Sequence, residues 1–294
     1  KGLWRGIFHA VSAFCNAGFD LLGTEGEFSS LASYNGNPVV LLTIMALITI
    51  GGLGFFVWED ILRCGRDLRR LSLYSKMVLS FTAALILGGG LFFLLAEWDN
   101  PATLGDMPGW KRVLNAAFQA VTLRTAGFDT IGQGNLRDSS LAMSCILMLI
   151  GGSSGSTAGG LKTVTVGVLF LTLRAGLAGR EEVTLRGRSI SHRRVMNALT
   201  LTLIVAVIFL AGSMIISLVD DVPFLSAAFE SASAMATVGV TVGITPTLSL
   251  FSHVLLICMM FLGRVGIMSF SIAFLARSKY PAKIKYPTMD IMIG

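Results

Sequence analysis

Three stretches of this chain carry no charged side chain over about the length that crosses a lipid bilayer. A spanning helix needs about 20 apolar residues, because each residue rises about 1.5 Å through ~30 Å of hydrocarbon. Only 14% of the residues are charged, against about 25% in soluble globular proteins. We therefore predict an all-α membrane protein with spans at residues 38–58, 77–96 and 195–219.

Two longer apolar stretches each contain one cation at an internal position. Residues 141–173 contain Lys162, and residues 248–276 contain Arg264. A straight helix over the first stretch would extend about 50 Å, which exceeds the thickness of the hydrocarbon core. We expect this stretch to break, to tilt strongly or to project from the membrane.

Basic residues cluster beside the predicted spans and indicate how the chain is oriented. Since Lys and Arg are enriched in cytoplasmic segments, the clusters within residues 63–76, 174–194 and 277–285 are predicted to face the cytoplasm. The intervening segments are mostly acidic and are predicted to face outward, where they would raise the local cation concentration. The basic clusters adjoin membrane spans, so we expect anionic lipid or a protein as their partner, and no nucleic acid.

One apolar segment that is too short to span the membrane occurs three times. Each copy begins with phenylalanine, continues with small residues and stops at a glycine, and the copies align on Gly18, Gly127 and Gly239. About ten apolar residues cannot cross the bilayer, so each copy must enter and leave on the outer face. The extended backbone after each half-helix must then be covered by protein or line a watery cavity.

Backbone carbonyl groups at such a place can replace the hydration shell of a cation. The half-helix C-terminus adds partial negative charge to the same point. The loops CNAGFD, RTAGFDT and ATVGVT, the motifs GGSSGSTAGGLK and FLGRVG, and the tail KIKYPTMDIMIG resemble the Trk/Ktr/HKT superfamily of potassium transporters, and within it the KtrB membrane subunits. This resemblance covers essentially the whole chain.

The resemblance implies repeated helix–pore-loop–helix units of the potassium-channel type around one pore. Residues 1–75 would form the second repeat without its outer helix, and residues 76–194 the third repeat with a gate loop at 151–162. Residues 195–294 would form the fourth repeat and a cytoplasmic tail. The chain begins without Met, and we expect an N-terminal portion with the first repeat to be missing.

The resemblance assigns potassium coordination to backbone oxygens of the three loops. Only the central glycine is common to them, and this irregular ring would select less strictly against sodium than the filter of potassium channels does. The alternative is that the loops are merely small-residue helix contacts. The predicted filter residues are Asn16, Ala17, Gly18, Phe19, Thr125, Ala126, Gly127, Phe128, Thr237, Val238, Gly239 and Val240.

Charged residues flank these loops. Asp20 and Asp129 each follow a loop glycine by two residues, and they are predicted either to attract cations at the outer mouth or to be ordinary solvated acids. Arg124 precedes the filter residues of the middle loop. We expect it to point away from the cation path and to brace its loop against Glu97 or Glu230.

A stretch rich in glycine and serine interrupts the long apolar run, and both residue types disfavour helix. The resemblance implies an intramembrane gate beneath the filter. An arginine within a span costs about 2.5–3.5 kcal/mol, so we expect Arg264 to contact loop carbonyls, with a purely structural snorkel as the alternative. The predicted gate residues are Gly151, Gly152, Ser153, Ser154, Gly155, Ser156, Gly159, Gly160, Lys162 and Arg264.

Two other functions fit parts of the sequence. Residues 151–155 match the G-x-S-x-G nucleophile pattern, but an intramembrane serine protease needs a base beside the serine, and no histidine is predicted at that depth. An alternating-access cation carrier would also fit internal repeats. We predict no enzyme activity and no covalently bound cofactor.

Potassium uptake across a bacterial inner membrane is the function that the resemblance implies for this multi-pass chain. Potassium is then the substrate, and sodium dependence stays open. The resemblance also implies a membrane homodimer and a cytosolic nucleotide-binding regulatory subunit of the KtrA type, which would meet the basic loops.

Overall fold

The computed structural model describes residues 2–265 except 24–28, 66 and 181, so the predicted cytoplasmic tail lies outside the described residues. Its regular structure is nearly all helical, with one short antiparallel hairpin. The elements are α1 (Gly2–Phe14), α2 (Pro38–Leu53), α3 (Phe55–Cys64), α4 (Leu73–Ala96), α5 (Gly109–Thr122), α6 (Asp138–Leu149), α7 (Thr163–Leu177), β1 (Thr184–Leu185), β2 (Arg188–Ser189), α8 (His192–Asp220), α9 (Phe224–Met235) and α10 (Leu250–Val265).

Within the described residues, α4 and α8 are long and apolar enough to cross a membrane, and α2 with α3 adds a third candidate if that bent pair counts as one span. The predicted spans at 77–96 and 195–219 are therefore confirmed, and both helices begin before the predicted start. The predicted span at 38–58 is not one continuous helix, because α3 leaves α2 at an angle of 96°. Gly54 forms the break with a φ of 87°, a left-handed conformation that favours glycine.

The prediction that residues 141–173 cannot form one helix is confirmed. The helix α6 ends at Leu149, an irregular loop follows, and α7 begins at Thr163. The two ends of this loop are joined, since the N–H of Gly151 donates to the carbonyl oxygen of Leu161 at 2.9 Å and the N–H of Leu161 donates to that of Leu149 at 3.0 Å. The first and last residues of the loop are therefore neighbours in the fold.

The short helices α1, α5 and α9 contain the three repeated segments. They are enclosed by longer helices: α1 packs on α2, α5 packs on α2 and α4, and α9 packs on α6, α8 and α10. Every residue of α9 from 227 to 235 is buried, and its alanines and serines permit this close approach. In contrast, Leu87 of α4 is 72% exposed and Leu203 of α8 is 65% exposed, which suits contact with lipid.

Two adjacent glycines of α4 provide a test of this packing. A Cβ on Gly89 would lie 2.9 Å from Leu147 Cδ1 and 3.2 Å from the Cβ of Ala120, whereas a Cβ on Gly88 would meet no described atom within 4 Å. We expect Gly89→Leu to lower the stability of the protein in detergent by about 1–3 kcal/mol through overpacking. Gly88→Leu is the matched control and should leave thermal unfolding nearly unchanged; equal effects of both substitutions would contradict this arrangement.

Candidate functional site

The three predicted filter loops share one unusual backbone conformation. In each loop the glycine and the residue two positions before it have positive φ, which is uncommon for residues other than glycine. The residue between them does not. The values are 50° at Asn16 and 72° at Gly18, 67° at Thr125 and 90° at Gly127, and 55° at Thr237 and 95° at Gly239.

The loops abut one another at these glycines. A Cβ on Gly18 would lie 2.6 Å from the carbonyl oxygen of Ala126 and 2.8 Å from the Cα of Gly127, and a Cβ on Gly127 would collide with the carbonyl oxygen of Val238. Backbone therefore meets backbone, and only glycine fits. At Gly239 no described atom lies within 4 Å of the same position, so the ring of loops is open on that side within the described residues.

A hydroxyl group on each half-helix bonds the chain just beyond the glycine. These residues were not predicted, although a serine or threonine stands four residues after the first phenylalanine in all three copies. That repetition was the available signal. The hydroxyl of Ser12 donates to the carbonyl oxygen of Phe19 at 2.8 Å, that of Thr122 to Phe128 at 2.6 Å, and that of Ser233 to Val240 at 2.6 Å.

These hydroxyl braces determine which loop carbonyls remain unpaired. The fourth predicted filter residue of each loop, at positions 19, 128 and 240, already accepts a hydroxyl hydrogen bond. In the described part of the chain no donor reaches the carbonyl oxygens of residues 16–18, 125–127 and 237–239. Unpaired carbonyl oxygens at membrane depth require water or another ligand.

The first residue of each filter loop also buries polar side-chain atoms that have no partner among the described residues. These atoms are the amide of Asn16 and the hydroxyls of Thr125 and Thr237. The gate loop contacts this level of the site directly, because a Cβ on Gly159 would collide with Thr237 Oγ1. The filter loops and the gate loop are thus adjacent layers.

A second set of hydrogen bonds holds the chain that follows each filter loop. The side chain that makes them belongs to the residue after the first phenylalanine of each copy, and this side chain is buried in all three copies. Sequence reasoning missed this position because its chemistry differs between copies. His9 Nε2 accepts the N–H of Leu21 at 3.4 Å, Gln119 exchanges two amide hydrogen bonds with Gln133 at 2.5 and 3.1 Å, and Glu230 Oε1 accepts the hydroxyl of Thr241 at 2.6 Å and the N–H of Val242 at 3.0 Å.

Among the described residues, Arg124 contacts the gate loop and two hydroxyls and no acid, so the predicted brace to Glu97 or Glu230 is wrong. The physical reason is that both carboxylates already accept hydrogen bonds from residues near them in sequence. Glu97 accepts from Asn100 at 2.6 Å and Thr103 at 2.8 Å, and Glu230 accepts from Thr241, just after its own filter loop. Arg124 is only 6% exposed. Its Nη2 atom lies 3.4 Å from each of three oxygens, those of the Gly151 carbonyl and the Thr82 and Thr163 hydroxyls.

The gate loop fills the break between α2 and α3. The N–H of Ser153 donates to the carbonyl oxygen of Gly52 at 3.0 Å, and the N–H of Phe55, the first residue of α3, donates to that of Gly155 at 3.0 Å. The Tyr74 hydroxyl donates to the carbonyl oxygen of Ser154 at 3.3 Å. The loop therefore satisfies helix ends that would otherwise lack partners.

Two positively charged side chains donate hydrogen bonds to carbonyl oxygens of this loop. Arg264 Nη1 donates to the carbonyl oxygen of Thr157 at 2.8 Å, and Lys162 Nζ donates to that of Ala158 at 2.8 Å. Thr157 was not among the predicted gate residues, yet its hydroxyl also donates to the carbonyl oxygen of Phe14 at 3.2 Å, at the end of α1. The expected contact between Arg264 and the loop is thus made with the carbonyl oxygen of Thr157. The gating role of Arg264 stays a prediction.

The two predicted outer-mouth acids shape their own loops. The Asp129 carboxylate accepts the backbone N–H groups of residues 131–133 at 3.1 to 3.2 Å. The Asp20 carboxylate accepts the N–H of Leu22 at 2.8 Å. These bonds favour the ordinary-acid interpretation, while cation attraction at the mouth stays a prediction.

The serine of the G-x-S-x-G match has no base beside it in the described part of the chain. Ser153 is 0% exposed, and its hydroxyl has no hydrogen-bond partner there. The ring of His9 bonds the carbonyl oxygen of Arg5 at 2.7 Å, and that of His253 bonds the carbonyl oxygen of Thr245 at 2.9 Å. This geometry does not favour a serine nucleophile.

The chain is similar to cation transport proteins along almost its entire length. The TrkH family model, described as a cation transport protein, matches residues 1–282. The potassium/sodium uptake protein NtpJ of Enterococcus hirae is 42% identical across 100% of this chain and 65% of its own length. The Ktr system potassium uptake protein B of Bacillus subtilis is 36% identical across 100% of this chain and 64% of its own length.

A solved structure shares the fold. The crystal structure of the potassium transporter TrkH from Vibrio parahaemolyticus superposes with a TM-score of 0.71 at 20% sequence identity, covering 92% of this chain and 58% of that one. This likeness bears on the fold alone. The chain spans about 65% of the length of the curated relatives that it matches.

The hydroxyl brace of the middle loop can be removed with little change in volume. Thr122 is 0% exposed, and Thr122→Val should leave the carbonyl of Phe128 without its donor. We expect a loss of about 1–3 kcal/mol in stability, measured by thermal unfolding in detergent. Thr122→Ser retains the hydroxyl and should lose clearly less; if valine and serine behave alike, the brace does not stabilise the loop.

Proposed function

Because the chain belongs to the TrkH family of cation transport proteins, we propose that it forms the filter and the gate of a potassium-uptake pathway across the cell membrane. The family and the likeness to KtrB are those predicted from the sequence, and these relatives are transporters, not enzymes. Both relatives are named for potassium uptake, which supports potassium as the substrate. Potassium would enter down the membrane potential, which contributes about 2.3 kcal/mol per charge per 100 mV.

The observation that carries this proposal is the shared conformation of the three abutting loops. In a regular strand, successive carbonyl groups point to opposite sides of the chain. Where φ alternates between positive and negative values, successive carbonyl groups can instead point to the same side. The unpaired carbonyl oxygens at 16–18, 125–127 and 237–239 would then replace water around a dehydrated cation. The fourth residue of each loop would support the filter from behind and would not coordinate.

Two further features favour a cation at this place. The half-helices α1, α5 and α9 end immediately before the loops, so their C-termini contribute partial negative charge there. The unpaired side-chain oxygens of Asn16, Thr125 and Thr237 belong to the first residue of each filter loop, and Thr237 adjoins the gate loop at Gly159. We propose that they add ligands at the inner end of the filter.

The gate is proposed to be the loop over residues 151–162, latched by Arg264. The loop lies against the filter through Gly159 and Thr237, and Arg264 holds it at Thr157. A guanidinium below the filter would repel an inward-moving potassium ion. Opening would require this loop and its cation to leave the path together.

The remaining parts of the transporter are also proposals. The filter ring is open at Gly239 within the described residues, and we propose that a further loop from sequence outside this chain closes it. The name of the Bacillus subtilis relative places that protein in a Ktr system. We extend this to a bacterial inner-membrane homodimer whose cytoplasmic loops bind a nucleotide-binding subunit of the KtrA type; co-purification of such a subunit with the natural protein would test it.

The filter assignment is tested by Gly127→Ala in the natural full-length protein, expressed in cells that lack other potassium uptake. The added methyl group would collide with the Val238 carbonyl, and the φ of 90° disfavours alanine. We expect the ratio of potassium to sodium uptake to fall by about tenfold, the effect of about 1.4 kcal/mol. Gly243→Ala is the control, because Gly243 also has a left-handed φ, 97°, but open space; an unaltered ratio in Gly127→Ala would contradict the filter.

The gate assignment is tested by Arg264→Ala, which removes the donor to Thr157. We expect rubidium uptake in the absence of activating nucleotide to rise several-fold. Arg264→Lys keeps a positive charge and a donor, and should stay close to the unsubstituted protein. Uptake that is unchanged in Arg264→Ala, with normal amounts of folded protein, would remove Arg264 from the gate.

A further inference from the structure

Two adjoining cavities at the predicted cytoplasmic face are walled by basic side chains. One, of about 550 Å³, is lined by Arg69, Lys76 and Arg186. The other, of about 460 Å³, is lined by Arg174, Arg180 and Arg186. Because Arg186 lines both, we treat them as one site, the basic cradle, made of these five residues.

The basic cradle joins separate elements of the fold. Lys76 lies in the first turns of α4, Arg174 lies in the last turn of α7, and Arg186 lies at the tip of the hairpin between β1 and β2. Apolar residues share the walls, including Leu71 and Leu79 in one cavity and Leu171 in the other. A ligand with both charged and apolar parts would fit these walls.

No carboxylate pairs with the basic cradle among the described residues. The ion pairs found nearby join Arg63 to Glu59 at 2.6 Å and Arg70 to Asp67 at 3.0 Å, and neither includes a cradle residue. The Lys76 ammonium donates to the carbonyl oxygen of Arg69 at 2.7 Å, which leaves its charge unbalanced. Within the described residues, the cradle therefore concentrates positive charge without a paired carboxylate.

The backbone at Arg186 is a second, independent observation. Arg186 and Gly187 have φ values of 47° and 79°, and they connect the pair Leu185 and Arg188 in a two-residue hairpin turn. Such a turn needs positive φ at both central residues and favours Asn, Asp or Gly at the first. An arginine in this unfavoured conformation, with its side chain where two cavities meet, points to a function for that side chain.

We propose that the basic cradle binds the phosphate-bearing headgroup of an anionic phospholipid from the inner leaflet. Guanidinium groups match phosphate oxygens in a bidentate geometry, and basic pockets between helices on the cytoplasmic side suit anionic headgroups. The adjacent outer surface of α7 is apolar, with Leu173 61% and Leu177 82% exposed, and can contact the acyl chains. This proposal does not depend on the filter or the gate.

Binding would fasten the cytoplasmic end of α7 to that of α4. The other end of α7 begins at Thr163, directly after the gate loop. The headgroup would thus restrain the helix that carries one end of that loop. The lipid composition of the membrane would then influence how readily the loop moves.

The test uses the natural full-length protein in a non-ionic detergent, titrated with phosphatidylglycerol or phosphatidylcholine while thermal unfolding is followed. We expect phosphatidylglycerol, and not phosphatidylcholine, to raise the unfolding midpoint. Arg174→Gln combined with Arg186→Asn should raise the half-saturating phosphatidylglycerol concentration at least tenfold. Asn favours the turn conformation that Arg186 adopts, so the lipid-free stability of Arg186→Asn should equal or exceed that of the unsubstituted protein.

The matched control is Arg63→Gln combined with Arg70→Gln, which removes the same charge from the same face but from outside both cavities. It should respond to phosphatidylglycerol as the unsubstituted protein does. An equal loss in both double variants would overturn the proposal, since net charge alone would explain the response. Stabilisation by inorganic phosphate or ATP in place of lipid would also overturn it, because the ligand would then be water-soluble.

Discussion

The fold depends on one requirement: backbone polar groups that leave a helix at membrane depth must find new partners. The filter loops turn N–H groups back onto their own half-helices, as Ala17 does to Ser12 and Val238 to Ser233 at 2.9 and 2.8 Å. The gate loop bonds the broken end of α2 and the start of α3. Among the described residues, the carbonyl oxygens of residues 16–18, 125–127 and 237–239 receive no donor, and this is where we propose that a cation is accommodated.

The proposed backbone coordination also explains why the three copies can differ so much in sequence. The repeated features are conformational: a left-handed residue, a glycine two positions later, and a hydroxyl that restrains the following carbonyl. The residue that bonds the chain after each filter loop is a histidine, a glutamine or a glutamate. Its position is therefore the same in the three copies, whereas its side chain differs. A filter made of main chain needs rigid support more than it needs particular side chains.

The sequence was sufficient to predict the features that follow from apolar length and repetition. The half-helices, the break within 141–173 and the long helices α4 and α8 belong to this group. The bend at Gly54 was missed although Gly51, Gly52 and Gly54 weaken the helix there. Residues 38–58 contain neither charge nor internal proline, and the hydrogen bonds that satisfy the break come from the gate loop, which is distant in sequence. The partner of Arg124 was missed for a similar reason, since its oxygens come from three elements distant in sequence. The hydroxyl braces were visible in the aligned copies and could have been assigned.

The bend between α2 and α3 has a mechanical consequence. The ten residues of α3 form a rod about 15 Å long that projects at 96° from α2 and begins at the hydrogen bond from Phe55 to Gly155. Force applied near Cys64 would act through this rod as torque on the loop beneath the filter. Under the proposed gating, a body docked at the membrane surface would shift this loop by tilting one short helix, without deforming the three loops above it.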